Sequence, residues 1–165
     1  MRHPHRLSPY DRLGERRYFV TINSFRRQKC FRRAWVVRTT LKQILRAATQ
    51  RSFVISAYCF MPDHFHALVH GQSADSDLHG FIRLAKQKSS HQFVRFTGRP
   101  LWKRSYWDTT LRGGGSTADV VRYIVLNPVT AGIVSDPMDY PSWGSEIYTR
   151  EELLELIATG GSPDL

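Results

Sequence analysis

His64 and His66 lie one residue apart in the apolar stretch FMPDHFHALVHG, residues 60–71. Side chains alternate along a β-strand, so residues two apart project from the same face, about 6.5–7 Å from one another. Two imidazoles at that separation can share a divalent ion, while Phe65 turns to the opposite face and packs in a core. An H-x-H pair on its own is also the pattern of two hydrogen-bonded or exposed histidines, so a further ligand is needed to decide. The other such pair, His3 and His5 around Pro4, lies at the chain end, where a mobile segment cannot hold ligands in place.

The stretch VVRYIVLNPVTAG supplies further polar groups. Tyr123 and Asn127 are four residues apart, hence on one face of a helix, and can offer a phenol and a carboxamide oxygen to one site. Tyrosine serves as a covalent nucleophile in enzymes but needs a neighbouring cation or base to do so at neutral pH. The alternative is that Tyr123 packs against a sheet and Asn127 caps a helix ahead of Pro128. Pro128 disfavours the α conformation at Asn127 and cannot donate to the Ile124 carbonyl, so a distorted or terminated last turn is expected there.

Placing these groups requires strands and helices in a definite order. Residues 16–25, RRYFVTINSF, are rich in β-branched and aromatic side chains and read as a strand. Val37, Leu41, Ile44, Leu45 and Ala48 recur at helical spacing through 34–50, with Arg38, Lys42 and Arg46 on another face. SFVISAYCF and FHALVHG form an expected antiparallel hairpin around Met61-Pro62-Asp63. A second helix follows within 73–100, ended by Gly98 and Pro100, and LWKRSYWDTTL reads as a fourth strand. RGGGS is an expected hinge, Ser116 or Thr117 an expected cap for the helix carrying Tyr123, and 150–158 a short acidic helix. The order β-α-β-β-α-β predicts an α+β, ferredoxin-like fold: a four-stranded antiparallel sheet with two helices on one face and an additional helix bearing Tyr123.

The domain plan that follows is a flexible segment 1–15, a globular body 16–148 and an acidic tail 149–165. Formal charge is +10, but residues 1–134 hold 23 Lys and Arg against 7 acids, a net of +16, while 135–165 hold only Arg150 against 7 acids, a net of −6. A basic body of that size suits a polyanion, because each cation that meets a phosphate releases condensed counterions. Aromatic residues interleave the cations in RRYFVTINSFRRQKCFRRAW and LWKRSYW, which suits unpaired bases that stack on rings. No apolar run approaches the roughly 20 residues of a spanning helix, so no membrane partner is expected and the cytoplasm is the expected location. Cys30 and Cys59 lack metal-type spacing and read as reduced thiols, Cys59 in a strand. The tail either competes for the basic groove or packs Leu153, Leu154 and Ile157 onto the body.

MPDHFHALV followed by YIVLNPVTAGIV resembles the Y1 HUH transposases, and among them the REP-associated tyrosine transposases related to the IS200/IS605 family. The likeness runs from about residue 16 to 148. It implies His64 and His66 as metal ligands, Tyr123 as nucleophile and Asn127 in the place of a polar third ligand. The implied cofactor is Mg²⁺ or Mn²⁺ and the implied partner single-stranded or hairpin DNA, here repetitive extragenic palindromes. The implied chemistry is nicking and joining through a 5′-phosphotyrosine. Arg16, Arg17, Lys103 and Arg104 are the candidate phosphate contacts, with Trp102 or Tyr106 for stacking, and a monomer is favoured over a dimer. Three rivals remain: a non-catalytic hairpin DNA- or RNA-binding module on the same sheet, a hydrolase using metal-bound water, and a domesticated hairpin binder that no longer cuts.

Overall fold

The computed structural model describes residues 13–111 and 117–159. His3, His5, the RGGGS hinge, the Ser116 cap and the GGSPDL end lie outside the described residues. The elements are β1 (Arg17–Asn23), α1 (Ala34–Gln50), β2 (Phe53–Met61), β3 (His64–Gly71), α2 (Leu78–Thr97), β4 (Trp107–Leu111), α3 (Thr117–Thr130), β5 (Trp143–Gly144) and α4 (Arg150–Thr159). Short 3₁₀ turns at Phe25–Arg27 and Cys30–Arg32 link β1 to α1. The sheet runs β4-β1-β3-β2-β5 and is antiparallel throughout. Its first four strands have the ferredoxin-like order expected from the sequence.

Alternation along the strands sorts the side chains into two layers. Tyr18, Val20, Ile22, Phe65, Ala67 and Val69 face α1 and α2, where Val36, Ile44, Ala47, Phe81 and Ile82 meet them. Phe19, Ala57, Cys59, Met61 and Leu68 face the other way, toward α3, α4 and Trp143. A bulge makes this division possible. The β2–β3 register shifts between Ile55 and Ala57, so Ile55 faces α1 and α2 while Ala57, Cys59 and Met61 line up beside Leu68, His66 and His64. β2 is therefore covered on both faces, which explains a sequence that is apolar apart from buried Ser56.

Helix ends follow their local chemistry. Asp77 caps α2 by accepting from the amides of His79 and Gly80, and Gly98 closes it at φ 67°, a left-handed turn that suits glycine. α3 continues past Pro128 to Thr130, where the sequence reading ends or kinks it. Proline this close to the end removes one hydrogen bond only, and the amides of Ala131, Gly132 and Ile133 still reach the carbonyls of Asn127, Val129 and Pro128.

Two further expectations need correction. The fourth strand is continuous only from Trp107: Trp102 makes an isolated antiparallel bridge to Ser24 and residues 103–106 are irregular, while Leu101 and Trp102 are buried and the Trp102 indole donates to Ser89 Oγ at 2.8 Å. The sheet also has a fifth, two-residue strand at Trp143–Gly144. Arg150, the tail's single cation, lies 4.1 Å over the Trp143 ring and donates to the Tyr140 carbonyl at 2.6 Å. Cys59 is buried and Cys30 half-buried, both as free thiols.

The acidic helix packs onto the body: Leu153 and Ile157 are buried against Val121, Ile124 and Val125 of α3, and Arg122 donates to the Ile157 carbonyl. Leu153→Ala is expected to lower unfolding stability by about 2–5 kcal/mol, the usual range for emptying a buried leucine site. Urea unfolding of the variant beside the parent checks this; a loss under about 0.5 kcal/mol, as at a surface site, would contradict the packing.

Candidate active site

His64 and His66 project from one face of β3, as the spacing predicts, with ring centroids 4.6 Å apart and planes nearly perpendicular. His66 is buried beneath α3. Its Nδ1 lies 2.8 Å from the Oγ1 of Thr21, its register partner on β1, and its Nε2 has no hydrogen-bond partner. Phe19 stacks on it at 5.5 Å. Desolvation, helped by the nearby His64 and Arg27, pushes the His66 pKa down to about 3, so the ring is neutral.

His64 is held differently. Its Nδ1 sits 2.6 Å from Asp63 Oδ1, and the second Asp63 oxygen forms an ion pair with Arg27 Nε at 3.0 Å. Arg27 also donates to Asn23. Burial lowers the His64 pKa, a shift that the Asp63 hydrogen bond and charge oppose. Both histidines thus have Nδ1 engaged by a neighbour, which orients Nε2, and at His64 the acceptor-only Asp63 carboxylate also places the proton on Nδ1 and leaves Nε2 its lone pair.

Tyr123 reaches this pair from α3. Its ring stands edge-on to His66 with centroids 5.4 Å apart, and edge-on to Phe19 at 5.6 Å. It is nevertheless 51% exposed, so its outer part is open to a ligand. Asn127 follows one turn later on the same helix face and is partly exposed. Arg17, a candidate phosphate contact, donates to Thr117 Oγ1 at 2.8 Å and ties β1 to the first turn of α3. Arg16, Lys103 and Arg104 are exposed, and Lys86 Nζ holds the carbonyls of Lys103 and Arg104 at 2.7 and 2.8 Å.

Trp102 is a core residue and cannot stack on a base; it packs against Phe31 at 5.2 Å. Tyr106 is half-buried, with its hydroxyl 3.3 Å from His79. Trp107 is the exposed indole on the histidine face, paired in register with Thr21. Sequence reasoning also missed Thr21, Asp63 and Arg27. For Asp63 a signal was present, since a carboxylate directly before an H-x-H can turn back onto the first imidazole.

Among the described residues no three His, Cys, Asp or Glu side chains cluster as a metal site. The donor set still fits a divalent ion: two neutral imidazoles on one face, and a buried Nε2 with no other partner. Cys59, the β2 neighbour of His66, stays a thiol because burial pushes its pKa up to about 12.

A family model described as "Transposase IS200 like" matches residues 16–127, more than half of the chain. The chain belongs to that family. A REP-associated tyrosine transposase of Escherichia coli K12 is 28% identical over 130 residues, covering 75% of this chain and 73% of that one. A Haemophilus influenzae protein assigned by name to the same group is 28% identical over 167 residues, covering 90% and 89%. Among solved structures, a REP-associated tyrosine transposase bound to a REP hairpin matches with a TM-score of 0.69 at 24% identity, covering 87% of this chain and 82% of that one. The IS200-like chain is thus a DNA-nicking and joining enzyme, and none of its described helices is long and apolar enough to cross a membrane.

The depressed His66 pKa has a consequence for folding. Unfolded, the ring takes up a proton as pH falls below about 6.5; folded, it does so only near 3. The unfolded state binds more protons between those values, so this contribution to stability is present above 6.5 and lost as pH falls toward 3. With chelator present, the fall in urea midpoint between pH 7 and pH 4.5 should be smaller in His66→Gln than in the parent. An equal fall in both would place the titration elsewhere.

Proposed function

We propose that the protein cuts and rejoins one strand of hairpin-forming DNA, of the REP type bound by its structural neighbour, through a covalent bond to Tyr123. The observation that carries this reading is the exposed Tyr123 ring set edge-on against buried, neutral His66, with His64 on the same face. His64, His66 and Asn127 are the residues that would hold Mg²⁺ or Mn²⁺. When bound, such an ion polarises a phosphodiester and offsets charge on its oxygens.

The chain's own groups do the rest. The Tyr123 oxygen attacks phosphorus in line and loses its proton; the Tyr–O–P bond forms as the P–O3′ bond breaks, and the leaving 3′ oxygen takes up a proton. The product is a 5′-phosphotyrosine and a free 3′-hydroxyl. One phosphoester replaces another, so a second 3′ end can reverse the reaction without ATP. Thr21 and Asp63 hold the imidazoles in orientation, and Phe19 shields His66 from water. Arg16, Lys103 and Arg104 guide the phosphate chain, and Arg17 acts through its bond to Thr117 by keeping α3 docked.

A labelled single-stranded hairpin with a 3′ and 5′ flank, incubated with Mn²⁺ or Mg²⁺, is expected to give a denaturant-resistant protein–DNA adduct. Tyr123→Phe should abolish the adduct and retain binding; an adduct that persists in this variant assigns the nucleophile elsewhere, and cleavage without any adduct indicates hydrolysis. His64→Ala and His66→Ala should each remove cleavage while the hairpin still binds. Undiminished cutting in excess EDTA would defeat the metal assignment.

Lys103→Ala and Arg104→Ala test the phosphate contacts. Each should weaken binding to all sequences alike and flatten the slope of log K against log salt by roughly 0.7, the value per phosphate on single strands. An unchanged slope would remove these residues from the contact surface.

A further inference from the structure

α1 and α2 cover the sheet face opposite His64 and Tyr123, and their sequences contain seven lysines and arginines and no acid. Lys86 is turned inward to backbone carbonyls. Arg38, Lys42 and Arg46 are exposed at four-residue intervals and so form one row along α1. Like charges at that spacing destabilise a helix, and an ordinary solvated face mixes both signs. A row without carboxylates is the arrangement expected where a polyanion supplies the missing charge.

The surface beside this row is shaped. A hollow of about 370 Å³ lined by Arg38, Lys42, Arg46 and Phe96 adjoins one of about 430 Å³ with which it shares Gln43, Arg46 and Gln92. On the other side of Phe96 lies a third, of about 510 Å³, lined by Lys29, Arg33 and Arg99. Phe96 stands between them, 77% exposed and held edge-on by Trp35 at 5.8 Å. An exposed ring with cations to either side is the pairing that single-strand binders use, ring for base and cation for phosphate.

The segment 24–33, SFRRQKCFRR, joins this surface to the site. It has five cations and no acid; at one end Arg27 pairs with Asp63 beside His64, and at the other Arg33 precedes the first residue of α1.

We propose that α1 and α2 form a second nucleic-acid surface, on which a further stretch of the strand held at Tyr123 runs over residues 24–33 and into the groove between the helices. Its phosphates lie along Arg33, Arg38, Lys42 and Arg46, and an unpaired base stacks on Phe96. The helical rise sets successive cations of the row about 6 Å apart, close to the separation of consecutive phosphates on an extended strand. This surface extends the proposed reaction and does not require Tyr123 or the histidines.

Binding of fluorescein-labelled oligothymidylates to the full chain tests it, without divalent metal and in the Tyr123→Phe background, so that the result is independent of cleavage. The probes are about 6 and about 25 nucleotides long, bracketing the usual single-strand site sizes. Arg38→Gln/Lys42→Gln/Arg46→Gln should flatten the salt slope on the long probe by about 2, three phosphates at roughly 0.7 each. Phe96→Ala should weaken long-probe binding at least about fivefold, the lower end for loss of one stacked base. Neither variant should change affinity for the short probe, and neither should lower the parent's melting temperature, since all four side chains are exposed. Unchanged affinity and slope on the long probe would overturn the proposal, as would an equal loss on both probes, which would reflect overall charge instead of a path.

Discussion

The site depends on the burial of one imidazole with a nitrogen left unpaired. His66 Nε2 has no partner, and an unsatisfied buried polar atom costs on the order of 1–3 kcal/mol. That cost is tolerated because the surrounding contacts fix the ring. Thr21 engages Nδ1, Phe19 stacks on it, and Tyr123 closes over its edge. Desolvation keeps the ring neutral, and in the tautomer whose Nδ1 donates to Thr21 the Nε2 lone pair is available to a Lewis acid. His64 reaches the same state by a different balance, with Asp63 and Arg27 ordering a ring that is less buried.

A neutral imidazole is of use only if the tyrosine helix is held over it, and three separate ties accomplish this. The bulge in β2 brings Ala57 and Cys59, both small, to the face beneath α3 and allows the helix to approach the sheet closely. Arg17 joins β1 to the first turn of α3 through Thr117. α4 backs the helix with Leu153 and Ile157 and takes a hydrogen bond from Arg122, the residue before Tyr123. The acidic tail therefore belongs to the packing that sets the position of the phenol, whatever its charge does to the approach of DNA.

The sequence disclosed the features governed by local periodicity. The histidine pair on one strand face, the α1 boundaries, the hairpin around Pro62 and the βαββαβ order all follow from alternation, helical spacing and turn chemistry. What it hid was set by tertiary pairing. Trp102 sits among cations in sequence, yet it is buried, bridged to Ser24 and with Ser89 of α2 accepting its indole N–H. Trp107, five residues later, takes the exposed place on the histidine face through register with Thr21. Thr21 itself is forty-five residues from His66, and no local pattern marks it. Arg17 and Thr117 are likewise a pair only in three dimensions.

Charge shows the same division between local and global causes. Cations in positions 24–33 fold into two 3₁₀ turns in which Arg26 and Arg27 adopt φ of 51° and 55°, a left-handed backbone that arginine rarely takes. Arg27 is held in that conformation by Asp63 and Asn23, so the backbone strain is offset by ordering His64. Among the described residues the neighbouring cations form no ion pair, and α1 and α2 contain no carboxylate. A net of +16 over residues 1–134 raises the energy of the compact state by self-repulsion. The excess is hard to account for by folding alone, since one acid, Asp63, suffices for the site; it is accounted for if the body is completed by the charge of a strand that passes across it.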